Sequence, residues 1–115
     1  MKISPYQQIG ELFEVIGSPT RIQILLAIGM GETCVCHLES LLGLRQAYIS
    51  QQLMELREKS IIASRRDGKF IYYHLEKPEV FDLVRLAART IGILDDELTI
   101  QAHNSCECPK CKQEG

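Results

Sequence analysis

No apolar run in this 115-residue chain approaches the ~20 residues needed to cross a bilayer, so a membrane-embedded protein is not expected. The opening Met1-Lys2-Ile3-Ser4-Pro5 lacks a long apolar core and a small-residue cleavage site, so export is not expected and a cytoplasmic location is. There is no Cys-x5-Arg phosphate loop, no glycine-rich nucleotide loop, and no triad around His37, His74 or His103, so nothing supports an enzyme. No internal repeat or low-complexity segment is visible. Five cysteines are an odd number, and in a reducing compartment they do not read as a disulfide framework. Ligation or redox sensing is the expectation. A global basic excess is also missing: the formal net charge is −2.

What is present is a local imbalance. Residues 1–44 carry two basic and four acidic side chains, residues 45–69 carry six and three, and residues 70–115 carry five and eight. The +3 of the middle stretch is a confined footprint of the kind a nucleic-acid binder needs. Length suits one domain, and hydrophobic and charged contents of 45% and 24% are ordinary for a globular chain.

Hydrophobic periodicity predicts a helix over Tyr6 to Ile16, with Ile9, Leu12, Phe13 and Ile16 on one face. Ser18-Pro19 reads as N-cap and first helical residue of a second helix to about Ile28, with Ile22, Leu25 and Leu26 inward. A short helix from about His37 to Leu42 ends at Gly43, and Gln46 to Lys59 forms a longer one with Ile49, Leu53 and Leu56 inward. A short helix, a tight glycine turn and a longer helix make a helix-turn-helix candidate. Asp67-Gly68 between Ile62–Arg66 and Lys69–Leu75 predicts a β-hairpin, hence a wing. Pro78 opens a final helix reaching about Leu94, whose apolar surface is wider than one-sided packing needs.

The order α-α-α-α-β-β-α, Cys34-Val35-Cys36 before the helix pair, and Arg65-Arg66-Asp67-Gly68-Lys69-Phe70-Ile71-Tyr72-Tyr73-His74-Leu75 together resemble the ArsR/SmtB family of metal-sensing winged-helix repressors over about residues 8–92. The resemblance implies a mainly α, winged helix-turn-helix fold with a small hairpin, a homodimer through the first and last helices, and inducer-binding thiolates at Cys34 and Cys36. Two departures stand out: Glu39 occupies the place of a third cysteine in one branch, and no histidine lies between Pro78 and Leu94, where the zinc-sensing branch carries ligands. Residues 1–94 would form the DNA-binding and dimerisation domain, and residues 95–115 a cysteine-containing tail.

In a recognition helix the N-terminal residues approach base edges. Gln46, Tyr48, Ser50 and Gln51 are the candidates, glutamine being suited to adenine. Arg45, Arg65, Arg66 and Lys69 would hold phosphates or enter a minor groove from the wing.

Mid-helix residues two apart point roughly 200° apart and cannot easily share an ion, but a strand-to-helix junction can turn both sulfurs the same way. Thiolates there select soft ions, and a helix N-terminus favours the ligating form. Cys106, Cys108 and Cys111 form a second cluster that could bind an ion unaided or lend sulfurs to Cys34 and Cys36. The expected inducers are As(III), Cd(II), Pb(II) or Zn(II), with no organic cofactor and no small-molecule substrate. The partners are double-stranded operator DNA and a second copy of the chain. An alternative keeps the fold but makes the thiols sensors of oxidation or persulfides, or of haem through Cys108-Pro109.

Overall fold

The computed structural model describes residues 3–98. Helix α1, Pro5–Ile16, starts where Ser4 and Gln7 cap each other: the Gln7 amide donates to Ser4 Oγ at 3.1 Å and the Ser4 amide to Gln7 Oε1 at 3.3 Å. Helix α2, Pro19–Ile28, follows with Ser18 as N-cap. Strand β1, Glu32–Cys34, leads directly into α3, Val35–Leu42, and α4, Gln46–Glu58. Between them Gly43 adopts φ +65° and donates to the Glu39 carbonyl at 2.9 Å, a left-handed cap that lets the chain turn sharply into α4.

Strands β2, Ile62–Asp67, and β3, Phe70–Leu75, form the hairpin. Asp67 pairs with Phe70, so the two-residue loop is Gly68-Lys69, one residue beyond the predicted Asp67-Gly68. The reason is conformational: Gly68 takes φ +63° at the first loop position, as a type II′ turn requires. Helix α5, Glu79–Thr90, ends earlier than predicted. Gly92 turns at φ +85°, and a 3-10 helix, Asp95–Leu98, follows, tied back by Arg85 to Asp95 (Nη2 to Oδ2, 2.6 Å).

The core is built where the helices converge on the hairpin. Ile49, Leu53 and Leu56 of α4 are buried as expected, against Leu38 and Ile62. In α2 the inward face is rotated from the predicted one: Ile24, Leu25 and Ile28 are buried, while Ile22 and Leu26 are half-covered. Ile9 and Phe13 of α1, 54% and 53% exposed, leave half their area outside this core. So do Leu86 and Ile91 near the other end of the chain, at 55% and 74%.

The sheet has three strands, not two. Its order is β1-β3-β2, antiparallel throughout, with Glu32 opposite His74, Thr33 opposite Tyr73 and Cys34 opposite Tyr72. Three residues are too few to show alternation, so β1 left no periodic mark in the sequence. Its consequence is that the first cysteine is stitched to the wing.

Candidate DNA interface and thiol pair

Helix α4 is held by its inner face and by Arg21 from α2. Arg21 Nε donates to Gln52 Oε1 at 2.9 Å and Nη1 to the Val15 carbonyl at 2.9 Å, while Nη2 pairs with the Glu55 carboxylate. Gln52 is buried, so its amide needs this partner. The knot joins the end of α1, the start of α2 and the middle of α4. It was missed in the sequence because residues 31 and 34 positions apart carry no local signature of their contact.

With Gln52 and Glu55 turned back, the outward surface of α4 carries Gln46, Ala47, Tyr48, Gln51 and Met54, all exposed, and Ser50 half-buried. Tyr48 leans towards α2, its hydroxyl donating to Thr20 Oγ1 at 3.4 Å, so only part of its ring faces away. Arg45 is the exposed N-cap of the helix. At the wing Arg66 and Lys69 are exposed, and the Lys69 ammonium lies 5.5 Å from the Phe70 ring centroid. Arg65 is engaged differently. Its guanidinium holds Glu32 with two hydrogen bonds, Nε to Oε2 at 2.9 Å and Nη2 to Oε1 at 2.5 Å. The hydrogen bond that Arg65 donates to Glu32 is the foremost cause that raises the Arg65 pKa above its usual value.

Cys34 ends β1 and is the N-cap of α3, with extended φ −97° and ψ 165°, while Cys36 is already helical. The change of backbone between them brings the two sulfurs to 2.9 Å from each other. Cys34 is buried against Tyr72, with Cys36 and Phe70 partly covered beside them. Two thiolates sharing a tetrahedral zinc-sized ion at ~2.3 Å would lie roughly 3.7 Å apart. Cys34 is a free thiol, whereas Cys36 is engaged in a disulfide here, so chelation by the pair requires the reduced protein, in which a sub-ångström opening would suffice. Among the described residues no group of three or more His, Cys, Asp or Glu is placed to hold a metal. Cys34 and Cys36 by themselves would supply only part of a coordination shell. Cys106, Cys108, Cys111 and His103 lie outside the described residues.

A helix pair closed by a tight turn, followed at once by a β-wing, is a winged helix-turn-helix, the architecture of DNA-binding transcription regulators. The model of the family described as "Bacterial regulatory protein, arsR family" matches residues 18–64, from the cap of α2 into β2. The chain is 32% identical over 88 residues to a transcriptional repressor SmtB homolog of Synechocystis, a match spanning 76% of this chain and 67% of that protein. It is 43% identical over 70 residues to the arsenic resistance transcriptional regulator ArsR1 of Pseudomonas putida, covering 60% of this chain and 54%, about half, of that one. The fold is similar to that of the transcriptional repressor BigR from Xylella fastidiosa, with TM-score 0.69 and 32% identity over 78% of this chain and 91% of that one. This chain belongs to the ArsR/SmtB family of transcriptional repressors. Among the described residues no helix is long and apolar enough to cross a membrane.

Proposed function

We propose that this protein is a cytoplasmic, homodimeric repressor that leaves its operator when As(III), Cd(II) or Pb(II) is captured by Cys34 and Cys36, completed by thiolates from Cys106, Cys108 and Cys111. The observation that carries the reading is the 2.9 Å convergence of two sulfurs at the joint between a strand paired to the wing and the helix that precedes α4. Opening that pair around an ion moves β1 against α3, and so acts on both DNA-contacting parts. The names of the relatives, an arsenic resistance regulator and an SmtB homolog, favour the same class of inducer.

Gln46, Ser50 and Gln51, with the exposed edge of Tyr48, would face base edges, while Arg45, Arg66 and Lys69 neutralise phosphates. The half-exposed Ile9 and Phe13 of α1, with Leu86 and Ile91, form the surface for a second copy, which would set two α4 helices ~34 Å apart, one turn of duplex.

The double variant Cys34→Ser/Cys36→Ser tests the reading by gel shift on promoter DNA, with arsenite, cadmium and lead added in turn. DNA binding should persist and release should be lost. Normal release by an ion in this variant would place the sensor elsewhere. A second reading has its own support: Cys36 is engaged in a disulfide here and its sulfur lies 2.9 Å from the free Cys34 thiol, so thiol oxidation or polysulfide is the competing signal. Mass spectrometry after peroxide, polysulfide or arsenite separates a two-proton loss or added sulfur from an arsenic adduct.

A further inference from the structure

Side chains alternate across a strand, so Glu32 and Cys34 share one face of β1. Cys34 lies opposite Tyr72 on β3, and Tyr72 lies opposite Arg65 on β2. Cys34, Tyr72 and Arg65 therefore form a single cross-strand row from the thiol pair to the wing. Arg65 reaches back along that row: its guanidinium sits 4.8 Å from the Tyr72 ring centroid and ends on the Glu32 carboxylate. The Glu32 side chain is only 18% exposed, whereas that of Arg65 is 49% exposed. Asp67, 3.9 Å from Arg65, is a much looser neighbour.

A guanidinium offers two parallel donors, and a carboxylate and a phosphodiester each answer with two oxygens in nearly the same fork. Glu32 therefore fills the hydrogen-bonding edge with which a wing arginine would grip a DNA backbone. We propose that Glu32 is an internal stand-in for a DNA phosphate at Arg65, so that Arg65 joins the wing's contact with the duplex only when this ion pair opens. The proposal rests on the wing meeting DNA, as in the proposed function, and adds to it a positioning pair two residues from Cys34. Movement of Cys34 on ion capture would be felt by Tyr72 and by the arginine lying over it.

The test measures binding of the full-length protein and its variants to a fluorescein-labelled, mixed-sequence duplex of about 30 base pairs, since backbone contacts are independent of sequence. Glu32→Gln should bind roughly two- to five-fold more tightly per wing, the range expected on relieving one exposed ion pair. Arg65→Gln should bind more weakly than the parent, and adding Glu32→Gln to it should change nothing further. If Glu32→Gln is neutral, or tightens binding equally in the Arg65→Gln background, the competition does not exist and only a general charge effect remains. Asp67→Asn, which removes the same charge nearer the wing tip, should have the smaller effect. Should Glu32→Gln fail to fold by circular dichroism, Glu32→Asp, one methylene shorter, must show the same tightening. Wild-type protein that ignores the duplex at every salt concentration would sink the DNA reading along with the proposal. Normal thiol-dependent release with a neutral Glu32→Gln would sink the proposal alone.

Discussion

Replacing Arg21 by alanine cuts three contacts, two to α4 and one to the end of α1, and their environments set the size of the loss. Gln52 is 8% exposed, so its side-chain oxygen would lose a charged donor in a place where water cannot easily replace it, which costs about 1–3 kcal/mol. Glu55, with 41% of its side chain exposed, recovers most of its solvation, and its share is at most about 1 kcal/mol. The Val15 carbonyl near the end of α1 loses a bond of about 0.5–1.5 kcal/mol. These contacts are coupled and do not add fully, so the expected destabilisation is about 2–4 kcal/mol, a large part of the ~5–15 kcal/mol that holds a typical domain. Urea denaturation at fixed protein concentration should show a lower midpoint with an unchanged slope. Arg21→Lys should recover less than half, because one ammonium cannot span Gln52, Glu55 and the Val15 carbonyl as a planar fork does. A loss below about 0.5 kcal/mol for Arg21→Ala would refute the view that this knot fixes α4 on α2.

Thr33 is 5% exposed and its hydroxyl oxygen has no hydrogen-bond partner among the described residues, so Thr33→Val should raise stability by about 1 kcal/mol; a lower melting temperature would contradict this. The hydrogen bond from Arg85 is the main reason the Asp95 carboxyl is held below its ordinary value of 3.8. The tie thus contributes above that value and is lost as pH falls through the lowered one. A carbon-detected NMR titration should give Asp95 a midpoint below 3.8 that moves up in Arg85→Gln, and equal midpoints in the two proteins would remove the tie from the account.

The elements with a strong period were legible from residues alone. Ile49, Leu53 and Leu56 recur at helical spacing, and all three are buried in α4. Ser18-Pro19 and Gly43 mark a start and a stop because each acts on its own backbone. Legibility ended where the determinant is a distant partner. Four apolar residues crowd α2 over Ile22–Leu26, so composition could not say which would turn inward; the neighbouring elements chose Ile24 over Ile22. Arg65 reads as a phosphate ligand from its place in the basic wing, and nothing in the sequence shows that Glu32, 33 positions earlier, also binds its guanidinium. The placement of Cys34 and Cys36 at a strand-to-helix joint followed from spacing, whereas the pairing of β1 with β3 did not.

That pairing bears on how much movement release would demand. Allosteric coupling is typically about 1–3 kcal/mol, some 5–150-fold in affinity. Each phosphate contact released from a duplex changes the salt slope by about one and affinity by up to several-fold. A dimer has two wings, so withdrawing Arg65 from the backbone on both sides would supply a sizeable fraction of that coupling without lifting α4 from its groove. Arg21 makes this route the easier one: it braces α4 through Gln52 and Glu55, whereas β1, only three residues long, meets the wing at the sheet edge and can shift with little cost to the core. On this reading the ion acts first on the wing. A Cys34→Ser/Cys36→Ser protein should then retain the full dependence of DNA affinity on Arg65, while a parent protein saturated with arsenite should have lost it. If arsenite instead lowers the affinity of Arg65→Gln as much as that of the parent, release runs through α4 and the sheet is a bystander.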